Sequence, residues 1–123
     1  MEKNAKLLED SLLVIWNERD AAKRLLLMKD VYTDDIVFYE SNEGQPFKGF
    51  GVINDLIAKL QGQWPVEFVF ELTAPSSVNH EVQLIIWRLG IPGQPPAATG
   101  KDIAVVENGK IRSLHLLLDL PNG

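Results

Sequence analysis

Cysteine is absent from all 123 positions of the sequence. Disulfide bonds, thiolate nucleophiles and cysteine-ligated zinc or iron–sulfur centres are therefore excluded. Histidine is almost as scarce, because the chain has only His80 and His115, and their wide separation does not match the spacing of metal-ligand pairs. From the sequence we expect no bound metal, and no cofactor is implied.

Basic residues and long apolar runs are also lacking. Twelve lysines and arginines face 17 aspartates and glutamates, for a net charge of −5. We expect no nucleic-acid partner, because such partners require basic surface to neutralise phosphates. No apolar run approaches the roughly 20 residues that span a bilayer, and the N-terminal segment is charged from Glu2 onward, unlike a signal peptide. We therefore expect a cytoplasmic protein that does not bind membranes.

Common catalytic motifs are missing, since the sequence has no glycine-rich phosphate loop, nucleophile elbow or Walker motif. What it does have is an ordinary globular composition, 46% hydrophobic and 24% charged. A chain of this length buries roughly two-thirds of the surface of its unfolded form. That burial is enough for one domain over residues 1–123.

The pattern of apolar residues changes along the chain. Spacing of three and four residues predicts helices over 3–19, 20–32 and 52–60, with Asp20 as the expected N-cap of the second. A turn at 33–35 leads into the first strand. Later residues alternate in strand fashion, and Asn108-Gly109 is a strong hairpin signal. The predicted strands are 36–39, 66–73, 77–89, 99–107 and 110–120, with at most one short strand within 41–51.

This order of elements predicts an α+β fold. No strand–helix–strand unit repeats, so a parallel α/β sheet is not expected, and the helices must cover one face of a mostly antiparallel sheet.

Several segments, in order along nearly the whole chain, resemble the nuclear-transport-factor-2-like superfamily, also called SnoaL-like or ketosteroid-isomerase-like. They are Trp16–Asp20, Val31–Val37, Phe47–Ile53, Trp87–Gly90, Thr99–Val106 and Asn108–Ile111. The resemblance implies a cone of strongly bent sheet closed by about three helices, the cystatin-like roll. It also implies a homodimer with a pocket between sheet and helices. Isomerases, dehydratases, polyketide cyclases, epoxide hydrolases and non-catalytic modules share this scaffold, so the fold does not define the function.

Glu40 is the first catalytic candidate. Glu40 follows Ile36 and Phe38 at intervals of two residues along a strand, so its side chain points to the same face and reaches the pocket if theirs do. The resemblance puts it where ketosteroid isomerases carry an aspartate general base, which takes a proton from the carbon next to a carbonyl. The alternative is a solvated loop carboxylate, because polar turn residues follow at 41–44.

Asp102 is the second candidate. Its alternation partners Gly100, Ala104 and Val106 form a largely apolar strand face, where a carboxyl needs a hydrogen-bond partner or a function. We expect Asp102 to be buried and hydrogen-bonded on the helix-covered face. The resemblance matches it to the protonated aspartate that donates to the oxyanion in isomerases. The alternative is a structural aspartate bonded to a neighbouring side chain.

One position departs from the resemblance. Isomerases carry a catalytic tyrosine on the first helix, whereas this chain has Leu12 at the corresponding place. An oxyanion site without that donor is not expected to isomerise steroids, although Glu40 and Asp102 could serve another proton transfer.

His115 is the third catalytic candidate, because an imidazole that meets Asp102 or Glu40 across the sheet can act as general acid or base. A satisfied structural histidine is the alternative. Asp119 is about 13 Å farther along the same strand face, too far for a direct dyad. The expected ligand-binding residues are Trp16, Phe38, Tyr39, Phe68, Trp87 and Asp119, and the alternative for the aromatic ones is simply the core.

Two functions are compatible with these residues. The first is a small-molecule-binding protein, for example an acid/base isomerase, cyclase or hydrolase, whose ligand is a small apolar or aromatic molecule because the expected lining is apolar. The second is a non-catalytic ligand-binding or dimerisation module, whose open sheet face is buried against a second copy.

Overall fold

The computed structural model describes residues 5–119, in which three helices pack on one face of a seven-stranded sheet. The α+β prediction is confirmed. The helices are α1 (Lys6–Asp10), α2 (Ala21–Val31) and α3 (Phe50–Gln61). The strands are β1 (Tyr32–Tyr39), β2 (Phe47–Lys48), β3 (Val69–Leu72), β4 (Ser77–Asn79), β5 (Val82–Gly90), β6 (Ala98–Glu107) and β7 (Lys110–Leu118). No helix within residues 5–119 is long and apolar enough to cross a membrane.

The first helix is shorter than the predicted 3–19, of which residues 3 and 4 lie outside the described residues. After α1 the chain makes a π-helical turn over Ser11–Ile15 and then leaves helical geometry. The next residues bond elsewhere: Asn17 Nδ2 donates to the Phe70 carbonyl at 3.1 Å, and the Phe70 amide donates to Asn17 Oδ1 at 2.8 Å. Asn17 thereby ties this segment to β3 as a strand neighbour would.

The second helix begins where the sequence predicts. The Asp20 carboxylate accepts hydrogen bonds from the amides of Ala22 and Lys23 at 3.0 and 3.1 Å, which satisfies two free N–H groups of the first turn. The third helix follows Gly49, whose φ of +87° favours glycine. Its buried residues Ile53 and Ile57 face the sheet.

The sheet has the strand order β2-β1-β7-β6-β5-β3, and β4 also pairs with β5. β1 and β7 run parallel, whereas every other pair is antiparallel. Parallel pairing of β1 with β7 brings the first strand beside the last, so the strand that ends at Tyr39 borders the late strands that carry Asp102.

Two strand predictions were wrong in their bounds. The predicted strand at 77–89 is a hairpin of β4 and β5, with His80 at a φ of +54°, a region that histidine enters more readily than most residues. The predicted turn at 33–35 lies within β1, although the register with β7 shifts there and Asp34 and Asp35 are exposed.

The hairpin predicted at Asn108-Gly109 is confirmed. Both residues have positive φ, 52° and 81°, as a two-residue type I′ turn requires. Beyond the turn the register of β6 and β7 shifts by one residue between Val105 and Val106. One extra residue on β7, Arg112, is accommodated there as a β-bulge.

Candidate functional site

A cavity of about 230 Å³ lies between the sheet and the helices. Its wall is almost wholly aliphatic and aromatic, and Glu40 and Asp102 are its two carboxyl groups. The helical side and the segments joined to it contribute Leu12, Trp16, Leu60 and Trp64. The sheet contributes Phe38, Phe70, Trp87, Leu89, Ala98, Leu116 and Leu118.

Asp102 lies on the helix-covered face of β6 and is 7% exposed. The Trp87 indole Nε1 donates to its Oδ1 at 3.0 Å. Within residues 5–119 that is the one hydrogen bond to the carboxyl group, which leaves Oδ2 for a ligand. Burial in this apolar wall raises the pKa of Asp102 to about 7, and the Trp87 hydrogen bond opposes that rise. Asp102 therefore exchanges its proton near neutral pH.

Gly100 makes the Trp87–Asp102 contact sterically possible. Trp87 is the cross-strand partner of Gly100, and its ring lies across the glycine backbone. A Cβ atom at position 100 would stand 2.7 Å from Trp87 Cζ2, closer than real contacts allow. The absence of a side chain at Gly100 therefore lets the indole lie close to β6, with its N–H directed at Asp102.

Tyr32 lies deep in the core near this carboxyl group. Its hydroxyl shares a hydrogen bond with Ser11 Oγ, and it is 1% exposed. Burial raises the pKa of Tyr32, the Ser11 hydrogen bond and the nearby Trp16 indole oppose that rise, and the charge of Asp102 adds to it, so that the pKa is about 12. Tyr32 therefore remains protonated, and any proton exchanged in the cavity at neutral pH belongs to another group.

Glu40 follows the last residue of β1 and reaches the cavity on the same face as Phe38. Tyr39 is paired with His115, so the next position along places Glu40 beside Leu116. Leu116 is in turn the partner of Asp102 on β6. Two strand spacings separate the backbones of the two acids by roughly 10 Å. The carboxyl groups thus flank Leu116, with room between them for part of a small ligand.

The structure does not bring His115 to these acids. Its partner on β6 is Ile103, and it stacks on Tyr39 with ring centroids 4.6 Å apart on the opposite face of the sheet. The expectation that His115 meets Asp102 or Glu40 was wrong, because neighbouring strand residues point to opposite faces. Tyr39 lies on the same outer face as His115 and does not line the cavity, so its predicted role in ligand binding was wrong as well.

Two further expected ligand contacts lie elsewhere. Asp119 accepts a hydrogen bond from Thr99 Oγ1 at 2.9 Å and pairs with Lys101 Nζ at 3.6 Å, outside the cavity. Phe68 precedes β3 in a turn, where its amide donates to the Pro65 carbonyl, so Phe70 reaches the cavity instead.

Several wall residues were not among the predicted contacts. Leu116 and Leu118 share their strand face with Leu114, and strand alternation alone would have grouped them. Their place opposite Asp102, however, depends on the register shift between β6 and β7. Leu60 and Trp64 come from the end of α3 and the segment after it, and helical spacing does not reveal that they face a cavity.

Metal ligands are not grouped anywhere in residues 5–119, where no three histidine, aspartate or glutamate side chains could hold an ion together. The acidic groups that the cavity wall itself presents are the carboxyl groups of Glu40 and Asp102.

No protein-family model and no curated protein matches the sequence. Solved structures do match. A SnoaL-like-family protein from Agrobacterium tumefaciens, provisionally named an isomerase, superposes with a TM-score of 0.81 at 21% identity, covering 94% of this chain and 96% of the other.

Two other solved structures have the same architecture at lower identity. A provisionally named SnoaL-like polyketide cyclase from Jannaschia sp. CCS1 gives a TM-score of 0.74 at 13% identity, covering 93% of this chain and 83% of that one. A provisionally named ketosteroid isomerase from Kribbella flavida gives 0.70 at 9% identity, covering 94% and 77%. The chain has the SnoaL-like, nuclear-transport-factor-2-like fold with its cystatin-like roll.

Proposed function

We propose that this protein binds a small, mostly apolar molecule with a carbonyl or similar group, and that Asp102 exchanges a proton or hydrogen bond with that group. The observation that carries the proposal is the setting of Asp102, a carboxyl group in an apolar cavity wall with one hydrogen-bond partner among the described residues. Its pKa of about 7 supports an acid/base role at physiological pH.

The size of the cavity supports a small ligand. Pockets for drug-sized molecules occupy about 300–1,000 Å³, and an apolar cavity of about 150 Å³ takes one benzene molecule. A volume of about 230 Å³ therefore fits one ring with a short substituent. A four-ring steroid exceeds it, which agrees with Leu12 standing where steroid isomerases carry their tyrosine.

The reaction class we infer is proton transfer next to a carbonyl, as in an isomerase or cyclase. Protonated Asp102 donates to the ligand oxygen, and Glu40, about two strands away, accepts a proton from the neighbouring carbon. The neighbouring structures that are provisionally named isomerase and polyketide cyclase support this class, without identifying a substrate.

The activity test replaces each carboxyl group by its amide. We expect Asp102→Asn and Glu40→Gln each to lower turnover by about 10²- to 10⁴-fold, because each removes one acid/base partner. The substrates are a panel of small enolisable aryl ketones and epoxides, followed by loss of substrate and by exchange of the α-hydrogen in D₂O. Asp119→Asn is the matched control, since Asp119 lies outside the cavity and should leave turnover unchanged.

Turnover that survives in Asp102→Asn would contradict the role given to Asp102. Inactivity of the wild type on the whole panel, together with ligand binding, would instead favour a non-catalytic binding module.

A dimerisation role has its own support on the opposite face of the sheet. Leu84, Ile86, Ile103 and Val105 are only partly buried there, and Leu117 is 53% exposed. Such an apolar face is favourably covered by a second copy through a symmetric contact. We propose a homodimer formed by this outer face, which does not interfere with the cavity on the inner one.

The dimer is tested by the mass of the protein in solution. We expect wild type to sediment as a dimer at micromolar concentration and Leu117→Glu to sediment as a monomer, because it places a charge in the apolar contact. Leu26→Glu is the matched control, since Leu26 is exposed on α2 and should leave the dimer intact. A monomeric wild type, or dissociation by both variants alike, would contradict the proposal.

A further inference from the structure

A second hollow adjoins the cavity on the outside of the protein. This groove, of about 480 Å³, runs between the β2 strand and α3. Its floor is apolar and consists of Phe47, Val52 and Leu56, and Val52 is 50% exposed. Nothing in the proposed reaction uses these residues.

The groove and the cavity share wall residues. Glu40 and Leu60 line both spaces, so each presents surface to the inside and to the outside. The floor is also continuous with the cavity wall, because the ring of Phe47 packs against that of Phe38 with centroids 6.3 Å apart. A molecule that leaves the cavity past Glu40 and Leu60 therefore meets apolar surface.

The rim of the groove indicates what kind of group would lie there. It carries Asp55, Lys59 and Gln63 beside Glu40, so both signs of charge are present. Within residues 5–119 neither Asp55 nor Lys59 belongs to an ion pair, and both residues are exposed to solvent. The groove thus offers apolar contact below and solvation above, which suits an uncharged aliphatic chain better than a phosphate or carboxylate.

We propose that the groove binds the aliphatic tail of the ligand whose ring and carbonyl occupy the cavity. The substrate class is then an aryl or cyclic ketone with an unbranched alkyl chain too long for the cavity of about 230 Å³. This inference rests on the proposed function for the head of the ligand and adds a separate site for its tail.

The test is a chain-length series of aryl ketones: acetophenone, butyrophenone, hexanophenone and octanophenone. Binding is read from tryptophan fluorescence, since all three tryptophans of the protein line the cavity. In wild type we expect affinity to rise about twofold to threefold per methylene through octanophenone, somewhat below the increment for full burial because the groove is open.

The deciding variant is Val52→Asp, which places a charge on the groove floor at a residue that does not line the cavity. We expect it to weaken octanophenone binding at least tenfold while acetophenone binding stays within about twofold of wild type. Val66→Asp is the matched control, because Val66 is 72% exposed and lines neither space. It should leave all four affinities unchanged.

The outcomes separate the two proposals. Binding of acetophenone with no gain from longer chains, or an equal loss for all four ketones in Val52→Asp, overturns the tail site and leaves the proposed function standing. Failure of all four ketones to bind overturns the proposed function and the tail site with it.

Discussion

Replacing Asp102 by asparagine is expected to stabilise the protein increasingly as the pH rises. Between pH 4 and pH 7 the free energy of unfolding of Asp102→Asn should gain several kcal/mol on that of wild type, so that the variant is the more stable protein above pH 7. Asparagine has the shape of the protonated acid, can accept the Trp87 hydrogen bond through its oxygen, and never ionises. The wild-type side chain is 7% exposed and must ionise in an apolar wall as the pH rises.

The direction follows from the proton balance. The pKa of Asp102 is 3.8 as a free side chain and about 7 in the folded protein. Between these values the folded state holds a proton that the unfolded chain has released, so the free energy of unfolding falls as pH rises. At about 1.4 kcal/mol per pH unit, the proton on Asp102 contributes about 4 kcal/mol to the free energy of unfolding. This contribution is present in full below about pH 4 and is lost above about pH 7.

The measurement is urea unfolding of wild type and Asp102→Asn at intervals from pH 4 to pH 8, taking the difference between the two at each pH. Other titrating groups are common to both proteins and cancel. Carbon-detected NMR of the Asp102 carboxyl group gives the pKa directly. A carboxyl group that titrates near pH 4, or a stability difference that does not change with pH, would contradict the assignment.

A pair of tryptophan variants tests the cause of the shift. Trp87→Phe removes the donor that favours the ionised carboxylate, so the pKa of Asp102 should move above 7. Trp16→Phe makes the same change in the same cavity, but the buried Trp16 Nε1 has no hydrogen-bond acceptor within residues 5–119 that meets ordinary geometry. Trp16→Phe should therefore leave the pKa of Asp102 unchanged.

Sequence patterns predicted the α+β fold because its main signals are local. Asp20 caps α2, and Asn108-Gly109 adopts the two positive φ angles that the sequence indicates. The same reasoning missed the β4–β5 hairpin, because its turn puts positive φ on His80 and not on a glycine. Asn79, His80 and Glu81 are three consecutive polar residues at the reversal, but they include neither glycine nor proline, so they did not indicate a turn.

The candidate site was harder to predict because it depends on register. A two-residue turn with regular pairing would set His115 opposite Asp102, as 102 and 115 are equally far from the turn. The bulge at Arg112 shifts the pairing by one, so Leu116 faces Asp102 and His115 turns to the outer face. No residue type in this stretch indicates a bulge. The one extra residue, Arg112, therefore removed His115 from the predicted catalytic residues without a signal in the sequence.

Loss of the Arg24 guanidinium is the second large effect that we expect. Arg24 is fully buried on α2, and no carboxylate within residues 5–119 bonds to it. Its donors go to neutral oxygens instead. They are the side-chain and backbone oxygens of Asn54, Gln61 Oε1 at 2.8 Å and the Glu18 carbonyl at 2.6 Å.

This cluster joins two sides of the cavity. Gln61, at the end of α3, also donates through Nε2 to the carbonyls of Trp16 and Glu18 at 3.0 and 2.9 Å. Arg24 thus holds α3 against the segment that carries Trp16, and both Trp16 and Leu60 line the cavity. Burial lowers the pKa of Arg24, and the nearby charges of Glu18 and Asp20 oppose that change.

We expect Arg24→Met to lower the free energy of unfolding by about 3–5 kcal/mol, because methionine fills much of the space but leaves the buried side-chain oxygens of Asn54 and Gln61 without their donor. For a chain of this size that corresponds to a fall in Tm of roughly 10–20 °C. Arg24→Lys keeps the charge but replaces the planar guanidinium by a single ammonium group. Its free energy of unfolding should therefore lie between those of wild type and Arg24→Met.

Arg19→Met is the matched control for Arg24→Met. Arg19 also donates to carbonyls at the end of α3 and just beyond it, those of Gln61 and Pro65, but it lies at the surface, where water can replace it. Its loss should cost less than about 1 kcal/mol. Equal effects of the two variants in thermal unfolding would mean that burial of Arg24 is not what stabilises the cluster. A large loss confined to Arg24→Met, with weaker ketone binding by the protein that remains folded, would tie the cluster to the shape of the cavity.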